Sequence, residues 1–286
     1  MNLRVFQSLW AMECLPFGGP TEWSLKEKIA KIVDAGFDGL EVAWTPTLPM
    51  GPEALERAAD AGLARSIVVF PTTVDDLKPI AEQFAGSDIR HINIQPNVRP
   101  VTVLEGVPYV LGWLDIARDA GLTVYFETHR DRMTTSLRYT LQLIDAIPSM
   151  RLVADLSHYL LGEEFAWPVS DDDQALMHRI LARSSGFHGR VASREQVQVP
   201  ISFPQNRQWL DLFAGWWEEG FRLWRQRAES DDELVFVTEL GPPWYSITGA
   251  DGNELSDRWK EALQMKQLVR EIWERLDMRE HALQEA

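Results

Sequence analysis

Cys14 is the only cysteine in this chain of 286 residues, which excludes an internal disulfide and a cysteine-based zinc finger and leads us to expect a reducing, cytoplasmic setting. Nowhere do about 18 apolar residues run consecutively, so no segment is expected to span a bilayer. The opening stretch MNLRVFQSLWAMECLPFGG is broken by charge, Gly and Pro before an apolar leader core can form, and it reads as a strand followed by a loop. Basic residues are also scarce. Lys and Arg number 28 against 43 Asp and Glu, the net charge is −15, and no Lys/Arg cluster offsets it, so nucleic acid is not expected as a partner. Glycine-rich phosphate loops are missing too, with neither GxGxxG nor GxxxxGK[ST] present.

What the chain does have is a repeating alternation of short β-rich runs and longer segments of helical period, undivided by any linker. Eight strands are expected, at LRVFQ (3–7), GLEVA (39–43), ARSIVVF (64–70), RHINIQ (90–95), TVYFE (123–127), LVADL (152–156), SGFHGRV (185–191) and LVFVTEL (234–240). Leu25, Ile29, Ile32 and Val33 mark the first helix, which opens on a Ser24 to Glu27 capping box and closes at Gly36; Trp259, Ala262, Leu263, Val269, Ile272 and Trp273 mark the last. A doubly wound open sheet would usually have fewer strands and a phosphate loop after the first. The expected fold is therefore a single (β/α)8 TIM barrel over residues 1–286, with 277–286 fraying at the end. Hydrophobic residues make up 45% of the chain, enough for a large core without structural metal.

In such a barrel the C-terminal ends of the strands converge on one pocket. Glu127, Asp155, His188 and Glu239 occupy those ends on the fifth to eighth expected strands. Each alone reads as a helix cap or a hydrogen-bonded wall residue. Together, three carboxylates and an imidazole at one depth repel one another without a cation, and the set suits one divalent ion, Mn²⁺, Mg²⁺, Co²⁺ or Zn²⁺.

That order of ligands resembles the xylose isomerase-like TIM barrels, the sugar phosphate isomerase/epimerase superfamily. AGFDGLEV (35–42) is similar to the family's second-strand signature, ETH (127–129) to its fifth-strand segment, and Asp155-Leu-Ser-His158 to its Asp-x-x-His at the sixth. The resemblance implies that Glu127 and Glu239 both bind metal and exchange protons with substrate carbon, that Asp155 and His188 complete the ligand set, and that His158 contacts a substrate oxygen. It makes Glu41 and Arg190 polar pocket residues. Where many relatives follow the seventh-strand His with a Lys-Asp pair, this chain has Gly189-Arg190-Val191, which implies an altered substrate. The implied activity is a metal-dependent isomerase or epimerase of a keto-sugar or related polyol, working by glutamate-mediated proton transfer through an enediolate. A lyase or dehydratase acting by β-elimination is the alternative, and a non-catalytic carbohydrate-binding barrel a further one. A DNA-repair endonuclease of the same fold would need a histidine-rich three-metal cluster, and six His dispersed along this acidic chain do not supply it.

The chain has 12 Trp. Trp10, Trp44, Trp167 and Trp244 lie near expected strand ends, where aromatic faces can stack on a sugar ring, with core packing as the competing reading. Trp209, Trp216, Trp217 and Trp224 share one helical stretch and are expected to pack on the barrel or a second subunit, the basis for expecting a homodimer. Gln7 and Gln95 end the first and fourth strands and are candidates for substrate hydrogen bonds. The segment 192–207 is long for a βα loop; it reads either as a lid carrying Gln196 and Gln198 or as a solvated excursion. His129 and Arg130 are expected to tie down the fifth loop.

Overall fold

The computed structural model describes residues 1–45 and 50–284. Eight parallel strands, β1 (Asn2–Ser8), β2 (Gly39–Ala43), β3 (Ala64–Val69), β4 (Ile92–Ile94), β5 (Val124–Glu127), β6 (Leu152–Ala154), β7 (Ser184–Gly189) and β8 (Glu233–Thr238), pair in sequence order. β8 returns to β1 and closes the barrel. All eight expected strands are present. Several ladders stop short of the expected end: Gln95, Asp155 and Glu239 each stand one residue past β4, β6 and β8, where the chain leaves the barrel and turns its side chains over the mouth.

Helices α1 (Leu25–Asp34), α2 (Met50–Asp60), α3 (Lys78–Phe84), α4 (Val103–Asp119) and α5 (Leu137–Ala146) follow the first five strands; α6 (Ser157–Gly162) and α7 (Asp171–Leu181) follow β6, and α8 (Arg207–Arg225) and α9 (Arg258–Gln284) follow β7 and β8. α1 starts on the Ser24 to Glu27 capping box, and Gly36 takes φ +66° just beyond its end, a left-handed position that glycine adopts without a Cβ clash. α9 continues as helix through 277–284; residues 285 and 286, the end of the stretch expected to fray, lie outside the described residues. No helix among the described residues is long and apolar enough to cross a membrane.

The core lies between the sheet and the helical ring. Trp217 of α8 meets Phe236 of β8 edge to face at 5.2 Å, and Phe221 meets Phe187 of β7 at 5.3 Å. Trp224 packs on Trp273 of α9 at 6.0 Å. The tryptophans of α8 are thus spent on this chain's own wall, and their rings are buried. Segment 192–207 is neither a loose excursion nor an open lid. Val199 N–H donates to Val191 O at 2.9 Å and Ser193 N–H to Gln196 O at 2.8 Å, folding the loop back on itself with Val197, Val199 and Ile201 buried.

Candidate metal centre and cavity

Glu127, Asp155, His188 and Glu239 offer ligand atoms that all lie within 4.8 Å of one another, and all four residues are buried. The strand ends place them: Glu127 is the last residue of β5, His188 sits within β7, and Asp155 and Glu239 follow β6 and β8 directly. His188 Nδ1 is 2.8 Å from Glu239 Oε2 and 3.7 Å from Glu127 Oε1, while Nε2 lies 3.1 Å from Glu41 Oε1. Gly189 is needed beside it, because a Cβ there would come within 2.5 Å of the Phe236 ring.

The carboxylates are held by neighbours. Asn93 Nδ2 donates to Glu127 Oε2 at 2.6 Å, and Gln95 Nε2 reaches both Glu127 oxygens at 3.0 Å. Ser157 N–H donates to Asp155 Oδ1 at 3.0 Å, and His158 Nε2 lies 3.4 Å from Asp155 Oδ2. Arg190 is fully buried and bridges the ring: Nε donates to Asp155 Oδ2 at 3.0 Å, Nη2 to Glu239 Oε2 at 2.7 Å, and Nη1 to Gln198 Oε1 at 3.1 Å. Gln198 in turn clamps both the N–H and the C=O of Gly241 in the loop after β8.

Burial raises the Glu127 carboxyl, with His188 opposing and the other acids of the ring adding to the rise. Burial acts the same way on Glu239, but His188 and Arg190 outweigh it and hold that carboxyl below its ordinary value. Asp155 is likewise held low against its burial by His158 and Arg190. Glu127 and Glu239 therefore differ in environment, one inclined to carry a proton and the other to stay ionised.

The residues fit a divalent cation. Three carboxylates and one imidazole converge, their mutual distances match a single coordination sphere, and the buried Glu41 Oε1 beside them makes no hydrogen bond, with His188 Nε2 its near neighbour at 3.1 Å. The cluster can hold one metal ion.

A cavity of about 210 Å³ opens above the ring, with Glu41, Gln95, Arg190, Glu239 and Trp10 in its lining. His158 lies just beneath, fully buried, its ring 4.0 Å from that of His129. Trp244, by contrast, is 89% exposed and stands off the lining; the neighbouring Tyr245 faces the cavity instead, edge to face with Trp10 at 5.3 Å. Trp44 packs on Phe84, and Trp167 packs on Trp209 far from the lining. Gln7 ties β1 to β8 through Thr238. Gln196 is exposed, and Gln198 acts only through Arg190 and Gly241.

Asn93, Arg132 and Tyr245 were not anticipated from the sequence. Asn93 was within reach of it, since it shares the inward face of β4 with Gln95 two residues on.

No protein-family model matches this chain, and no curated protein matches it in sequence. Solved structures do match in shape. The probable 3-DHS dehydratase AsbF involved in petrobactin synthesis from Bacillus anthracis aligns over 93% of this chain and 99% of its own, at 14% identity and a TM-score of 0.53. A tri-modular GH5 (subfamily 4) endo-β-1,4-glucanase from Bacillus licheniformis aligns over 94% of this chain and 60% of its own, at 11% identity and a TM-score of 0.53. The cellulose synthase subunit Z from Clostridioides difficile aligns over 92% and 99%, at 11% identity and a TM-score of 0.50. Likeness at such identities speaks for architecture alone, and the architecture is a (β/α)8 TIM barrel with a buried Glu/Asp/His cluster at its mouth.

Proposed function

We propose that this protein is a metal-dependent enzyme that moves a proton to and from a carbon next to the carbonyl of a keto-sugar or related polyol, acting as an isomerase or epimerase. The observation that carries this reading is the convergence of Glu127, Asp155, His188 and Glu239 within 4.8 Å below a cavity that admits a small molecule. Glu127, Asp155, His188 and Glu239 would hold one divalent ion such as Mn²⁺, Mg²⁺, Co²⁺ or Zn²⁺, which supplies positive charge where negative charge develops on substrate oxygen. Glu127, its carboxyl raised by burial, serves as the group that takes up and returns the proton. Glu239, held ionised by His188 and Arg190, serves as the opposing base. Asn93 and Gln95 fix the Glu127 carboxylate, and His158, buried beneath the cavity, stands 3.4 Å from Asp155 and holds that carboxylate. Trp10 and Tyr245 supply apolar wall for the carbon skeleton.

The same first step begins a β-elimination, and the barrel of like shape from Bacillus anthracis bears the name of a probable dehydratase. Lyase action is therefore the second reading. The test is metal content by elemental analysis for the wild type, Glu239→Gln and His188→Ala, followed by exchange of substrate C–H into D₂O across a ketose panel. About one equivalent of metal, lost in the variants, with exchange in the wild type supports the proposal. An equal-mass product means isomerase or epimerase, and loss of water means lyase. No metal uptake from Mn²⁺, Co²⁺ or Zn²⁺ defeats both.

A further inference from the structure

The lining of the cavity is divided by charge. Its floor carries Glu41 and the candidate ligand Glu239, while one wall, supplied by the loop after β5, carries arginine. Arg132 lines the cavity and is partly buried; its Nε donates to Gln95 Oε1 at 3.3 Å and its Nη1 to Asp131 O at 2.8 Å, leaving Nη2 without a protein acceptor among the described residues. Arg132 Nη1 also lies 3.6 Å from Asp131 Oδ2, but that exposed carboxylate is shared with Arg99, whose Nε donates to Asp131 Oδ1 at 2.9 Å. Arg130 is exposed, has no carboxylate in ion-pair reach among the described residues, and lies with its guanidinium 4.8 Å from the Tyr245 ring centroid. Arg190 approaches the same ring at 4.6 Å, so Tyr245 gathers two guanidinium groups at the cavity. In a chain of net charge −15, an arginine in the cavity lining that shares its one carboxylate with Arg99, and a second at the rim beside Tyr245 with none in ion-pair reach among the described residues, need an explanation that loop tethering does not supply.

We infer that the substrate is an anion, a polyhydroxy compound bearing a carboxylate or phosphate, and that Arg130 and Arg132 clamp its charged group while its carbonyl end faces Glu127 and Glu239. This rests on the cavity being the site of the reaction proposed above. Position fits: Arg132 binds the carbonyl end of the Gln95 amide whose nitrogen binds Glu127, so one amide separates the clamp from the proton-transfer group. An uncharged sugar would leave Arg132 Nη2 and Arg130 facing only water, whereas an oxyanion accepts charge-assisted hydrogen bonds from both.

The test is calorimetric binding of fructose, fructose 6-phosphate and 5-ketogluconate to the wild type, Arg130→Ala and Arg132→Gln, in metal-free and Mn²⁺-loaded protein, with metal content measured on the same samples. In wild type, at least one anion is expected to bind about tenfold or more tighter than fructose, in metal-free protein too, and to weaken as salt is raised. Each variant is expected to cut that preference to about threefold or less. Binding of only the phosphate or only the carboxylate identifies which group the clamp takes. Should Arg132→Gln fail to fold, the exposed Arg130→Ala and the salt series of the wild type still decide. Equal binding of fructose and both anions, no binding of either anion, or an anion preference untouched by the variants overturns the clamp. Anion preference without metal uptake would leave the clamp standing and sink the metal-dependent reading; metal uptake without anion preference does the reverse.

Discussion

Arg190 holds its Nη2 2.7 Å from Glu239 Oε2, so one of the four candidate metal ligands is already paired with a cation built into the chain. The same guanidinium reaches Asp155 at 3.0 Å, and burial is complete on both sides. Removing one partner of a buried ion pair leaves an uncompensated charge, which costs far more than the pair itself contributes. Arg190→Met is thus expected to lose about 3–5 kcal/mol of stability in metal-free protein. The freed carboxylates then bind a divalent cation more tightly, so Mn²⁺ should return more stability to the variant than to the wild type. Urea unfolding with and without Mn²⁺ checks this. An equal metal-induced shift in both proteins would mean that Arg190 does not compensate the ring.

The Glu127 carboxylate owes its orientation to two amides on one strand face, Asn93 at 2.6 Å and Gln95 at 3.0 Å. Neither amide is a metal ligand, yet both fix where the ligand oxygens point. Asn93→Ala is expected to weaken metal binding by about 10–100-fold with little change in fold. A metal titration followed by circular dichroism on the same sample separates the two effects; unchanged affinity would show that Gln95 alone suffices.

The strands and the convergence of four candidate ligands are legible because they depend on local alternation and on the rule that barrel strand ends meet. Other features depended on the path of loops, which no local pattern records. Trp244 and Tyr245 are adjacent, and only the turn after β8 decides that Tyr245 faces the cavity while Trp244 faces water. Gln198 reaches Arg190 only because the loop after β7 doubles back on itself, with Val199 N–H on Val191 O. Trp44 and Trp167 sit near strand ends in sequence but find ring partners, Phe84 and Trp209, on the helical layer. Asn93 is a different case: its period-two relation to Gln95 is local and stands in HINIQ.

Gln198 offers a test of that loop. Its carbonyl accepts from Gly241 N–H at 2.7 Å and from Arg190 Nη1 at 3.1 Å, and its amide donates to Gly241 O at 3.0 Å. Truncation to alanine strands three buried polar groups at once, since each partner loses its bond without gaining water. Gln198→Ala should cost about 2–4 kcal/mol, measured as a shift in the urea midpoint at constant slope. A loss below about 1 kcal/mol would mean that water replaces the amide there and the loop is not fixed through this residue.

His91 closes the underside of the ring, its Nε2 4.0 Å from Glu41 and its imidazole 5.1 Å from the Tyr125 ring. Burial, reinforced by the charge on His188, lowers its pKa to about 3 from an ordinary 6.5. In the window between those values the unfolded chain binds a proton that the folded chain does not, so this residue's contribution is intact above 6.5 and declines as pH falls toward 3. The full decline amounts to about 5 kcal/mol at the acid end. His91→Gln removes the titrating group while keeping a polar side chain in place. Acid loss from Asp155 and Glu239, whose carboxyls are held low, is common to both proteins, so the difference between them isolates His91. Urea unfolding of wild type and variant at intervals from pH 7.5 to 4 should show the wild type losing stability faster, whatever its advantage at neutral pH. Parallel curves would mean that the imidazole takes up its proton in the folded protein, either by drawing in water or by pairing with Glu41.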